Sequence, residues 1–187
     1  MTTNAGDNNG YQTSPANAQT DDTLNAQDPN SGSTTSNPTC TTATPDTGKD
    51  QHKFLNYGFT IPAGVTIRGI EVRLDAFASS TSGSPKICVQ LSWNGGTTWT
   101  TLKPSANLTT SMATYILGSA TDTWGRTWGV SDFTNANFQV KLVDMAGNTS
   151  TTFNLDWVAV RVTYATPTPP TITSTPVTAG IVNQAYS

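Results

Sequence analysis

Residues Ile87-Cys88-Val89-Gln90-Leu91-Ser92-Trp93-Asn94-Gly95-Gly96-Thr97-Thr98-Trp99 decide the fold class of this chain. Ile87, Val89 and Leu91 alternate with Cys88 and Gln90. A period of two sends alternate side chains to opposite faces of a strand. The run then meets Asn94-Gly95, a pair that supplies the positive φ angles of a two-residue hairpin turn. Thr98 and Trp99 start the return strand, so the expectation is antiparallel β-structure.

The same alternation recurs outside this stretch. Ile70, Val72, Leu74 and Ala76 alternate with Glu71, Arg73, Asp75 and Phe77, and Phe138, Val140 and Leu142 alternate with Gln139 and Lys141. Val158, Val160, Val162 and Tyr164 read as the inward set of a last strand, with Arg161 outward. The expected strands are 54–61, 66–77, 87–93, 98–103, 113–118, 138–144 and 153–164. No segment sustains a 3.6-residue period. Short strands separated by Gly, Pro and Asn point to an all-β, antiparallel β-sandwich. No repeat of about 20–50 residues is visible, which argues against a propeller.

Composition narrows the function classes. Charged residues are 11% of the 187, less than half the usual share of about 25%. Thr, Ser, Asn and Gly fill the difference, as in a turn-rich β-protein. A net charge of −3 without a Lys/Arg cluster lacks the basic footprint of a nucleic-acid partner. No apolar run approaches the roughly 20 residues that would cross a bilayer, so no membrane insertion is expected.

The chain divides by composition. Residues 1–10 are polar and expected to be disordered, and 11–165 form the sandwich module, with 11–49 lying over a body built elsewhere. Residues 166–171 read as a stiff Pro/Thr linker. Residues 172–187 start a new pattern too short to bury a core. Met1-Thr2-Thr3-Asn4 opens a polar tract with no apolar leader-like run. The chain therefore reads as a piece of a longer modular protein, with neighbouring domains of the same polypeptide as partners.

Cys40 and Cys88 lie too far apart for metal-ligand spacing, and the single His52 adds little. In an oxidising compartment they can form a disulfide tying the N-terminal segment to the strand at 87–93; otherwise they are two unpaired thiols. Closing that loop would contribute roughly 4 kcal/mol in the chain-entropy model.

Ser92-x-Asn94-x-Gly96-x-Thr98-Trp99 resembles the Asp-box hairpin, Ser-x-Asp-x-Gly-x-Thr-Trp, with Asn94 where the motif has Asp. The resemblance implies a folding element remote from catalysis, with Ser92, Asn94, Gly96 and Trp99 in structural roles. Phe59-Thr60-Ile61-Pro62-Ala63-Gly64 with Ile67-Arg68-Gly69-Ile70-Glu71-Val72 resembles one block of an uncharacterised bacterial secreted β-sandwich module. Further blocks at 91–99, 117–128 and 155–164 extend the likeness over 11–165. Such modules are similar to jelly-roll, galactose-binding-like domains embedded in large surface proteins. Ile172–Ser187 resembles the opening of a bacterial Ig-like or cadherin-like repeat. These resemblances imply an extracellular or cell-surface location and no catalytic residue.

Trp124, Arg126 and Trp128 share one face if 124–128 is extended. With Tyr115 they can form a stacking surface for a polysaccharide, or the tryptophans can cover the end of the core. Asp21, Asp22 and Asp28 are candidate ligands for a structural calcium ion, with Asp46 and Asp50 nearby in sequence. The dense Asp-x-Asp-x-Asp spacing that calcium favours is missing, and solvated loop acids explain these residues without a metal. Glu71, Arg73, Asp156 and Arg161 read as outward cross-strand ion pairs. Glycoside hydrolysis would need two carboxylates about 5–10 Å apart, and no pair is singled out.

The expected function is a non-catalytic structural or adhesion module without a cofactor, calcium aside. Its rivals are a carbohydrate-binding module and an appendage of a secreted hydrolase. Deleting residues 165–187 should leave the melting temperature nearly unchanged; a large drop in a thermal melt would show that the tail donates structure to the body.

Overall fold

A computed structural model describes residues 1–5, 10–29, 40, 51–148, 150–168 and 173. Among the described residues nine strands form two antiparallel sheets. They are β1 (Thr2–Ala5), β2 (Ala26–Asp28), β3 (Gln51–Leu55), β4 (Thr66–Ala78), β5 (Lys86–Ser92), β6 (Lys103–Pro104), β7 (Ala113–Gly118), β8 (Gln139–Met145) and β9 (Phe153–Ala165). One sheet has the order β1-β3-β8-β5-β6 and the other β2-β9-β4-β7. Two single 3-10 turns, Pro15–Ala18 and Val130–Phe133, complete the regular structure. No helix among the described residues is long and apolar enough to cross a membrane.

The period-two pattern is what brings the sheets together. Phe54, Ile87, Val89, Leu91, Val140 and Leu142 from one sheet share a single core with Ile70, Val72, Leu74, Leu155 and Val158 from the other. All of these are almost fully removed from water. The result is a β-sandwich. A smaller cluster of Cys88, Val143 and Met145 occupies the far face of the five-stranded sheet, where Cys40 and Leu102 cover it. Cys40 and Cys88 are disulfide-bonded there, with their Cα atoms 5.8 Å apart.

β4 and β9 are the longest strands, 13 residues each, and pair along their whole length. Two register shifts interrupt them, leaving Arg68 extra on β4 and Asp156 extra on β9. Such bulges re-aim the side chains around them and sharpen the local twist.

Five features differ from the expectation, the first being the strand expected over 98–103, of which only a bridge at Trp99 and the two-residue β6, Lys103–Pro104, are formed. Thr2–Ala5, within the stretch expected to be disordered, pairs with β3. Ala26–Asp28 adds a short edge strand to β9. The strand expected over 54–61 instead spans Gln51–Leu55, because Asn56 and Gly58 take positive φ and turn the chain. Tyr57 and Phe59 then stack on each other instead of alternating in a sheet. Tyr164, expected inward, is 39% exposed at the outer end of the β4–β9 ribbon, beside Ile67. Ala165 is the last residue of β9, so the tail proper starts after it. Of residues 172–187 only 173 is described, and the expected Ig-like start lies otherwise outside the described residues.

Two buried polar side chains, Tyr11 and His52, are tied to groups around them. The Tyr11 hydroxyl donates to Asp144 Oδ1 at 3.2 Å. Burial, with the charges of Asp144 and Asp28, pushes the Tyr11 hydroxyl well above its ordinary range, so it stays a donor. His52 is buried against Tyr11 and Phe54, with Nδ1 3.0 Å from the Gly10 carbonyl. That carbonyl can only accept, so Nδ1 carries the proton. Burial lowers the His52 pKa below 6.5, outweighing the Gly10 contact that favours the charged ring.

The sign of the pH dependence follows. The unfolded chain takes up a proton near pH 6.5 that the folded one refuses, so stability is fully present above that pH and declines below it. His52→Gln should flatten the slope of unfolding free energy between about pH 7.5 and 5.5, above the range where carboxylates dominate. Urea titrations across that range would read it, and an identical slope in both proteins would exclude His52 as the source.

Candidate functional site

The segment after β7 forms one end of the sandwich. β7 stops at Gly118, whose φ is +82° and whose missing Cβ would lie 2.2 Å from the Ile70 carbonyl oxygen. Only glycine leaves that carbonyl open, and the Trp124 indole N–H donates to it at 2.9 Å. The backbone comes equally close at the β4 bulge, where a Cβ on Gly69 would fall 2.3 Å from the Ala120 carbonyl carbon. The Ile70 N–H is donated to the Asp122 carbonyl at 3.0 Å.

Asp122 holds the turn. It accepts the Trp124 backbone N–H at 2.8 Å and pairs with Lys103 at 2.8 Å. Burial by itself would raise its pKa, but the Lys103 and Trp124 contacts outweigh it and lower the value. Trp128 donates its indole N–H to the Thr123 carbonyl at 2.7 Å. The Arg126 guanidinium lies over both Trp93 and Trp128, 4.1 and 4.4 Å from their ring centres, in the angle between two nearly perpendicular rings. Asp132 pairs with it at 2.8 Å and also accepts the Gly129 N–H. Each cation–π contact of this kind contributes about 0.5–2 kcal/mol.

The expected stacking surface is therefore corrected. Trp124 is 2% and Trp128 5% exposed. Tyr115 is also buried, and its hydroxyl accepts the Thr109 N–H at 3.0 Å. The rings close the end of the core and do not present a face to solvent. The reason is that residues 123–128 are a turn with Trp124 at φ +54°, not an extended strand that would line the side chains up.

The stretch 92–99 is a side-chain-braced loop in place of the expected two-residue turn. An isolated bridge joins Ser92 to Trp99, and Gly95 and Gly96 both have positive φ. Asn94 Oδ1 accepts the Thr98 N–H at 2.8 Å while its Nδ2 donates to Thr98 Oγ1 at 3.0 Å. Ser92 Oγ accepts the Gly96 N–H at 2.9 Å. An amide at position 94 supplies both an acceptor and a donor to Thr98, where a carboxylate would supply acceptors alone. Lys141 lies 4.5 Å over the half-buried Trp99 ring.

The calcium candidates are engaged separately. Asp21 faces Arg73 at 3.6 Å, and Asp22 accepts from Thr20 and the Leu24 N–H. Asp28 is buried in β2. Asp46 and Asp50 lie outside the described residues. Among those described, no group of three His, Cys, Asp or Glu side chains is placed to hold a metal ion.

The outer face of the four-stranded sheet carries a groove of about 450 Å³ that the sequence reading did not single out as a site. It is lined by Glu71, Arg73, Ile116, Trp157, Ala159, Val160 and Arg161. Arg73 stands between Ala159 and Ile116 in the register, with Trp157–Asp75 on one side and Arg161–Glu71 on the other. Arg161 and Glu71 form the expected cross-strand ion pair. Arg73 pairs along its own strand with Asp75 at 2.8 Å and lies 4.8 Å over the Trp157 ring. Asp156, expected outward, is buried at the bulge, where it accepts the Asp22 N–H. The alternation places Trp157, Ala159 and Arg161 on the face opposite Val158 and Val160 but does not mark a groove, because the other walls come from β4 and β7.

No protein-family model, no curated protein and no solved structure matches the chain. Its class rests on the fold alone, a disulfide-bonded antiparallel β-sandwich.

Trp124→Phe removes the donor from the Ile70 carbonyl and should cost about 1–3 kcal/mol. Gly118→Ala, which meets both the positive φ and the carbonyl, should cost more than about 1 kcal/mol. Urea unfolding reads both, and parent-like stability in either variant would remove the Trp124 contact from the account of this end.

Proposed function

We propose that the chain is a non-catalytic structural module of an extracellular, multidomain surface protein, with the mechanical task of holding and spacing its neighbours. The observation that carries this reading is the Cys40–Cys88 bridge. It fastens the N-terminal segment to β5, a strand flanked on both sides in its sheet. Disulfides of this kind persist in oxidising compartments. The internal engagement of Trp124, Arg126, Trp128 and Tyr115 supports the same reading, since these groups spend their binding capacity on the fold. The likeness of 59–72 and 92–99 to secreted jelly-roll modules and to the Asp-box hairpin is in keeping with it, as is the Pro/Thr-rich stretch from 166.

Two measurements test this. Alkylation and mass spectrometry of the protein from its native source should find both cysteines protected until a reductant is added, and two alkylated thiols would overturn the extracellular assignment. Reduction should cost about 2–4 kcal/mol, lowering the melting temperature by about 5–15 °C. An unchanged melt after verified reduction would remove the mechanical role of the bridge.

A further inference from the structure

We propose that the groove on the outer face of the four-stranded sheet binds a neutral glycan, with the pyranose rings packed against Trp157, Ala159 and Ile116. The inference does not rest on the mechanical reading above, which is carried by the disulfide on the five-stranded sheet. Ala159 is a small residue between Trp157 and Arg161 on β9, and the space it leaves is the floor of the groove. Ile116, on the adjoining edge strand β7, is 54% exposed although it is a large aliphatic side chain. Trp157 is half-buried, and Arg73 over its ring limits its rotation. The groove volume falls within the range of about 300–1,000 Å³ found for small-ligand sites, which combine apolar walls with a few fixed polar groups.

Charge balance selects the ligand class. Arg161 is neutralised by Glu71, and Arg73 by Asp75 with Asp21 beside it. An anion entering the groove would have to compete with Glu71, Asp75 and Asp21 for the two guanidinium groups. A neutral polyol leaves the ion pairs intact. Arg161 offers only donors and Glu71 only acceptors, side by side, which suits adjacent hydroxyls that each donate and accept. The C–H faces of a pyranose supply the apolar surface that Trp157 and Ile116 would otherwise leave in water. β4, which runs under the groove, is paired with β9 on one side and β7 on the other, so an extended peptide lying on this face gains no ladder from it.

The full chain would be titrated by calorimetry with neutral hexasaccharides of β-1,4-glucose, α-1,4-glucose, mannose and xylose, with polygalacturonate as the anionic comparator. Saturable binding to at least one neutral sugar is expected. It should weaken by about tenfold or more in Trp157→Ala and in Ile116→Ser, and change little between about 0.1 and 0.5 M salt. Ile116→Ser sits at an exposed position, so it keeps the test valid if Trp157→Ala is unstable. Thermal melts of both variants would establish that they fold. Absence of binding to all four neutral sugars, binding undiminished in folded variants, or preference for polygalacturonate with strong salt dependence would each overturn the proposal. So would concentration-dependent dimerisation in sedimentation that is lost in Ile116→Ser, because it would assign the groove to a second copy of the chain.

Discussion

The pairing of β4 with β9 is the constraint on which the rest of this structure depends. These strands form the centre of the four-stranded sheet, and their alternation creates the wall against which the other sheet closes. A slip of one residue would turn Ile70, Val72, Leu74 and Val158 to the outer face and bring Glu71, Arg73 and Trp157 into the core. Burial of the apolar set forbids that slip. The two bulges then fit the ribbon to its surroundings, one beside the 119–122 turn and the other under the N-terminal segment.

The ends and faces of the sandwich are secured mainly by hydrogen bonds and aromatic contacts. Charged residues are scarce. Several of those present are used at junctions: Asp122 with Lys103 at the Trp124 turn, Asp132 with Arg126 under Trp93 and Trp128, and Asp144 with Tyr11 inside. A partly buried charged pair of this kind costs desolvation but restricts geometry, because its partners must stay paired. Such pairs suit turns that have no regular backbone ladder to hold them. The disulfide acts differently, by limiting the unfolded chain and anchoring residue 40 to β5.

Much of the sheet architecture was legible locally. The runs at 66–77, 87–93, 113–118, 138–144 and 153–164 each carry enough alternating apolar residues to read as strands, and all correspond to strands of the sandwich. β1 and β2 were not legible, since Thr2–Ala5 and Ala26–Asp28 have no apolar period and are held by the strands they join. The Trp-Gly-Arg-Thr-Trp segment closes the end of the core in place of forming an outward face. Its composition shows aromatic and guanidinium groups together, but the positive φ of Trp124 and the opening at Gly118 direct the rings inward. Trp157 is not legible as a site, because one outward tryptophan in a strand has no local mark that distinguishes it from surface. Its neighbours in the groove come from two other strands.

The class of structure, the faces of the main strands and the cysteine pair able to cross-link are all readable from periodicity and composition over a few residues at a time. Tertiary structure alone decided which side chains meet. It placed Arg73, Glu71, Trp157, Arg161 and Ile116 around one groove, and it took Trp124 and Trp128 out of reach of solvent. The physical reason is that strand order, bulge position and glycine clearance are set by long-range packing, and no local pattern in the chain encodes the partner across the sheet.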